Sequence, residues 1–207
     1  MPWNLDADTR VMLSVILGQF IARIVGLGIF IVPAWVGIRA ASHLERETSE
    51  WDIRAELIFL ALVFYLVIVA AATIVPLQKD AVSGTGGVSL IPGTTTIGCY
   101  RRMTGTPVEL VICNMQLVGN ILLFAPLGLL LPLVSRRFAS FRAVLVVAAP
   151  TSMSIEAIQY LQKSLGAMRS VDIDDVILNV VGALLGYLLI RQMMGSKARD
   201  RGVATGR

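Results

Sequence analysis

Charge is scarce in this chain: Asp, Glu, Lys and Arg make up 15% of its 207 residues, where an average soluble domain carries about a quarter. Only two cysteines and one histidine occur, too few cysteines for a disulfide scaffold. His43 stands among charges between two apolar runs, the setting of a solvated-loop histidine rather than of a ligand or a base. No internal repeat and no phosphate-cradling glycine motif is present, and no spacing of His, Cys, Asp or Glu suggests a metal. The first ten residues carry Asp6 and Asp8 where a signal peptide has a basic region, and no small-residue cleavage site follows the first apolar run. That run is therefore expected to stay as an anchor. What abounds is apolar side chains, 56% of the chain with a mean hydropathy of +0.75. They come in long uncharged runs, the mark of a polytopic membrane protein.

A helix rises about 1.5 Å per residue and the hydrocarbon slab is about 30 Å thick, so a span needs about 20 residues. Five stretches qualify: residues 11–38, 57–77, 110–134, 143–160 and 173–194. The expected fold is thus an all-α membrane bundle of about five transmembrane helices, filling residues 11–195. Arg23 is the one charge of the first stretch and Glu156 that of the fourth. The fifth has an uncharged centre, 176–190, that covers only about 22 Å. It must draw in either Arg191 or the aspartates 174 and 175. Arginine can snorkel on its long stem and aspartate cannot, so a carboxylate is expected at membrane depth or in a wet pocket.

Eleven Lys and Arg fall in residues 39–56, 135–142 and 191–207, and six in the segments that lie on the other side. By the positive-inside rule the N-terminus (1–10) is expected outside and the basic tail (196–207) in the cytoplasm, near anionic lipid. These loops and the tail account for the net charge of +4. Membrane lipids are the expected partners, and nucleic acid is not. The longest connection, 78–107, lies outside on this topology and is rich in Gly, Thr, Ser and Pro. It reads as an irregular loop with a short extended stretch near residues 88–91. Cys99 lies in that loop and Cys113 in the third span, and their different depths argue against a disulfide.

Polar residues inside a membrane usually face the bundle interior or a water-filled cavity. Asp172, Asp175, Asn179, Gly182 and Gly186 fall at i, i+3, i+7, i+10 and i+14, one narrow arc of a helix. Ser152, Glu156 and Gln159 share a face of the fourth span. Gln116 and Asn120 share one of the third, with Phe124 continuing the stripe. Asn120 lies about 15 Å along its helix, near the midplane. On this topology Asn120, Glu156, Gln159, Asp172, Asp175 and Asn179 are expected to border one outward-opening cavity, capped by Arg169. Arg23, the one cation within a span, is the natural partner of Glu156, because an unpaired buried charge is expensive. Structural readings stand beside these. Aspartates suit a helix N-terminus, and Gly182 with Gly186 makes a small-xxx-small packing pair. The amides suit interhelical hydrogen bonds. Pro126 and Pro132 should loosen the third helix.

Taken in order, Asn120-x-x-x-Phe124-x-Pro126-x-Gly128, Ser152-x-x-x-Glu156-x-x-Gln159 and Arg169-x-x-Asp172-x-x-Asp175-x-x-x-Asn179-x-x-Gly182 strongly resemble the VanZ-like family. These are bacterial membrane proteins, named for a factor giving low-level resistance to the glycopeptide teicoplanin. The resemblance runs from residue 120 to 186 and implies a helical cell-membrane protein acting at the envelope, without supplying a mechanism. Two readings stand open. One is a non-catalytic factor that binds an envelope lipid or glycan, or alters how a glycopeptide reaches the surface. The other is an intramembrane enzyme on such a component, with Glu156 and Asp175 as acid and base and Arg169 holding a phosphate. A Mg²⁺ shared by Asp172 and Asp175 would rest on two carboxylates alone, and no cofactor is expected. Five spans without inverted repeats weigh against a transporter.

Overall fold

The computed structural model describes residues 7–44, 52–74, 87–164 and 170–204. Among the described residues the fold is almost wholly helical, with five helices long and apolar enough to cross a membrane: Leu17–Ile38, Ile53–Thr73, Pro107–Val134, Phe141–Ser164 and Ile173–Gly195. The chain divides into two compact units, Met1–Gln78 and Lys79–Arg207.

The first unit holds α1 (Ala7–Leu44) and α2 (Ile53–Thr73). Asp52 starts α2, its Oδ1 accepting from the backbone N–H of Arg54 at 3.0 Å and of Ala55 at 3.4 Å. These are amides that the first turn of a helix cannot satisfy internally. Alternate residues of α2 are buried near its end, among them Val67 and Ala71. Arg23 sits half-buried on α1.

The second unit comprises β1 (Val88–Ser89), α3 (Thr94–Arg101), α4 (Pro107–Val134), a 3₁₀ turn (Arg136–Phe138), α5 (Phe141–Ser164), β2 (Val171–Asp172) and α6 (Ile173–Ala204). A capping box opens α4: Glu109 N–H donates to Thr106 Oγ1 and Thr106 N–H donates back to the Glu109 carboxylate, with Pro107 at the first helical position. α4 continues through Pro126 and Pro132 to Val134. Ser135, in an extended conformation, ends it, and Ser140 Oγ caps α5 by accepting from Ala143 N–H at 3.2 Å.

α4 and α6 pack backbone to backbone. A methyl group added at Gly128 would overlap the carbonyl of Ala183, one at Gly182 that of Ile121, and one at Gly186 that of Ala125. Three glycines thus let the two helices approach closer than any side chain would allow. α5 packs on α6, and the core runs through Phe124, Val144 and Ala148 to Ala183, all fully buried.

The segment before α4 contains the expected extended stretch, residues 88–89, which form a parallel ladder with residues 171–172, but it departs from an irregular loop where Thr94 to Arg101 coil into α3. The two cysteines also depart from expectation: Cys99 and Cys113 are joined in a disulfide, with Cα atoms 5.8 Å apart. The reason is α3. By folding back beside the first turns of α4 it brings Cys99 level with Cys113, and Tyr100 Oη reaches Asn114 Oδ1 at 3.0 Å in the next register.

Candidate functional site

The site is built where α4, α5 and the start of α6 converge. Asp172 closes β2 and stands just before α6. Its Oδ1 accepts from Asp174 N–H at 3.0 Å, the bond of an N-cap. Its own N–H donates to Glu156 Oε2 on α5 at 2.9 Å. Glu156 therefore fixes the start of α6 against α5 by satisfying a buried amide, a bond whose loss would be costly in a dry interior.

Asp174 and Asp175 face different neighbours. Asp174 reaches out to α3: Oδ1 accepts from Gly93 N–H at 2.5 Å, and Oδ2 from Thr95 and Thr96 N–H at 3.2 and 2.9 Å. Gly93, with φ +84°, has no side chain to cap its helix, so the carboxylate of α6 does it from across the fold. Asp175 turns to α4, where Asn120 Nδ2 donates to its Oδ1 at 2.5 Å. One turn and more below, Asn179 Nδ2 donates to Ser152 Oγ on α5 at 2.9 Å.

These side chains lie in the interior: Ser152 is fully buried, and Glu156, Gln159, Asp172 and Asn179 keep no more than 8% of their surface. Within this cluster two buried acceptors have no hydrogen-bond partner among the described residues, Asp172 Oδ2 and Asn179 Oδ1. Buried oxygens of that kind normally find a donor, so the cluster offers two acceptors to a group that can donate hydrogen bonds. No group of three or more His, Cys, Asp or Glu with metal-binding geometry occurs among the described residues.

Asn120, Glu156, Asp172, Asp175 and Asn179 are brought together, and Gln159 is buried further along the same face of α5. Two cavities at this end of the bundle lie over α3: one of about 300 Å³ lined by Pro92, Gly93, Ile97 and Arg101, and one of about 220 Å³ at the disulfide, lined by Arg102, Glu109 and Ile112. Phe124 is fully buried and Pro126 half-buried on α4, while Gly128, Gly182 and Gly186 form the α4–α6 contact. Arg169 lies outside the described residues. Arg23 and Glu156 belong to the two separately described units. Two partnerships were not directly legible in the sequence: Ser152 with Asn179, and Asp174 as a cap for α3. The i+4 spacing of Ser152 and Glu156 could have signalled the first. No local signal exists for the second, since its partners lie 78 to 81 residues away.

A family model described as VanZ/LLP1 matches residues 59–194, a stretch that contains the whole polar cluster. No curated protein matches the chain, and neither does any solved structure.

Proposed function

The chain belongs to the VanZ/LLP1 family, and from that premise we propose that it acts at the bacterial cell envelope by binding a hydroxyl- or amine-bearing envelope lipid or glycan at the cluster of Asn120, Ser152, Glu156, Asp172, Asp175 and Asn179. Such binding would alter susceptibility to glycopeptides of the teicoplanin type. The observation that carries this reading is the pair of buried acceptors without donors, Asp172 Oδ2 and Asn179 Oδ1. A ligand hydroxyl or ammonium supplies what they lack, and Arg169, three residues before Asp172 in the chain, supplies a cation for an anionic group on the same ligand.

The α3 end of the bundle faces the exterior in this reading, with the N-terminus outside and the tail in the cytoplasm. The Cys99–Cys113 disulfide supports that orientation, because disulfides persist in oxidising compartments and are rare in the cytosol. The excess of Lys and Arg at the opposite end agrees with it.

Binding is favoured over acid/base catalysis because Glu156 and Asp175 each already hold a neighbouring element, through Asp172 N–H and Asn120 Nδ2. The test compares Glu156→Gln and Asp175→Asn with the two alanine variants in a susceptible Gram-positive host. It scores teicoplanin against vancomycin tolerance and the envelope lipid profile at matched protein abundance. The amides keep an acceptor oxygen and should retain at least part of the effect, and the alanines should lose it. Loss with both amides at normal abundance would instead favour the intramembrane enzyme over a hydroxyl-bearing ligand. Full activity in all four variants would remove the site.

A further inference from the structure

The end of the second unit opposite α3 has a character of its own. Residues 129–142 and 187–195 contain four arginines, Arg136, Arg137, Arg142 and Arg191, and no acidic residue. Between those stretches opens a cavity of about 410 Å³, lined by Pro132, Phe141, Tyr187, Ile190, Arg191 and Met194 among others. Tyr187 Oη donates to the carbonyl of Ala139 at 3.4 Å, holding the α4–α5 turn against α6 and so shaping the cavity mouth. Tyr187 and Ile190 are buried and form its floor, while Phe141 and Met194 are about half exposed at its rim. Arg191 and the three turn arginines are exposed.

Depth explains the division. Arg191 stands eighteen residues beyond Ile173 on α6, about 27 Å along the axis and hence at headgroup level in a slab of about 30 Å. Ile190 and Tyr187 lie just within the hydrocarbon. Loop arginines alone would need no more than the positive-inside rule. An apolar-floored cavity with one guanidinium in its lining, Arg191, and three more arginines in residues 136–142, the stretch that supplies Ala139, Ser140 and Phe141 to that lining, fits a molecule that is both anionic and greasy. We propose that this cavity is a binding site for one anionic phospholipid. Its phosphate sits at Arg191 beside the arginine turn, and an acyl chain lies along Ile190, Met194 and Phe141. Basic pockets between membrane helices recognise anionic headgroups in this way, and arginine grips phosphate by bidentate hydrogen bonds. The proposal depends neither on the ligand of the polar cluster nor on which end of the bundle faces outward.

The test uses the full-length protein in nanodiscs of equimolar phosphatidylglycerol and phosphatidylcholine, transferred to detergent and weighed with its retained lipids by native mass spectrometry. One basic contact near a membrane surface contributes about 1 kcal/mol, so wild type should retain phosphatidylglycerol over phosphatidylcholine by about fivefold or more. The pair Arg142→Gln with Arg191→Gln should bring the ratio to parity, and Arg101→Gln with Arg102→Gln, at the α3 end, should leave it unchanged. Millimolar inorganic phosphate should not displace the lipid. All four arginines lie outside the core, so these variants should fold, and thermal unfolding before lipid exchange checks it. Absence of preference in wild type overturns the proposal whatever the variants do. So does a preference that survives Arg142→Gln with Arg191→Gln, or that falls equally in the pair at the other end. Displacement by phosphate would remove the acyl half of the site.

Discussion

Asp174 and Asp175 are neighbours in α6, yet successive residues on a helix point about 100° apart, so one caps α3 and the other meets Asn120 on α4. That angle also decided what could be read from the sequence. Asp172, Asp175 and Asn179 share the i, i+3, i+7 arc, and their convergence with Asn120 and Glu156 was legible from spacing taken with depth along each span. Asp174 lies off the arc, and from the sequence it suits only the N-terminus of its own helix or membrane depth. Its role requires knowing that α3 comes alongside, which no local pattern announces. Asp174→Ala should strand the N–H groups of Gly93, Thr95 and Thr96. Unsatisfied buried donors cost about 1–3 kcal/mol each, and the partial exposure of this end argues for the lower part of that range in total. The check is thermal unfolding in detergent, together with hydrogen exchange of residues 93–96. Exchange should quicken there before it does in α4, and unchanged protection would contradict the capping role. Glu156→Ala should likewise destabilise through the buried Asp172 N–H, and Glu156→Gln should restore most of the loss.

Helix existence was legible and helix company was not. Five spans follow from run length and the thickness of the bilayer, and the glycines at 128, 182 and 186 mark a close approach because hydrocarbon leaves helix association to packing. α3 escaped notice because Thr94-Thr-Thr-Ile-Gly98 has poor intrinsic helix propensity. It forms because a carboxylate from α6 caps it and a disulfide ties it to α4. Depth reasoning from sequence misplaced Cys99 for the same cause, since it assumed a loop extending away from the helix that the segment in fact folds beside. Gly182→Leu places a side chain into the backbone of Ile121, where relief requires the helices to part. Overpacking costs about 1–3 kcal/mol even when side chains can yield. This variant should therefore accumulate as aggregate or be degraded, read by fluorescence-detected size exclusion, whereas Gly119→Leu on the same pair of helices meets nothing within 4 Å and should remain monodisperse.

At the scale of the molecule, the second unit concentrates hydrogen-bond acceptors at one end and arginines at the other. The end carrying α3 should lie outside the cell. Intact cells treated with an impermeant reductant and then an impermeant maleimide should be labelled at Cys99, which is partly exposed where Cys113 is buried, with no labelling if the reductant is omitted. Labelling only after permeabilisation would invert the topology. If the buried acceptors of the polar cluster belong to a bound envelope component, that component should stay with the protein when it is isolated in polymer discs, without detergent, from a Gram-positive host and its lipids and glycolipids are identified by mass spectrometry. Wild type should carry a species with a hydroxyl- or amine-bearing headgroup that Asp172→Ala and Asn179→Ala, still folded, do not retain. The same lipid profile in all three proteins would contradict that assignment.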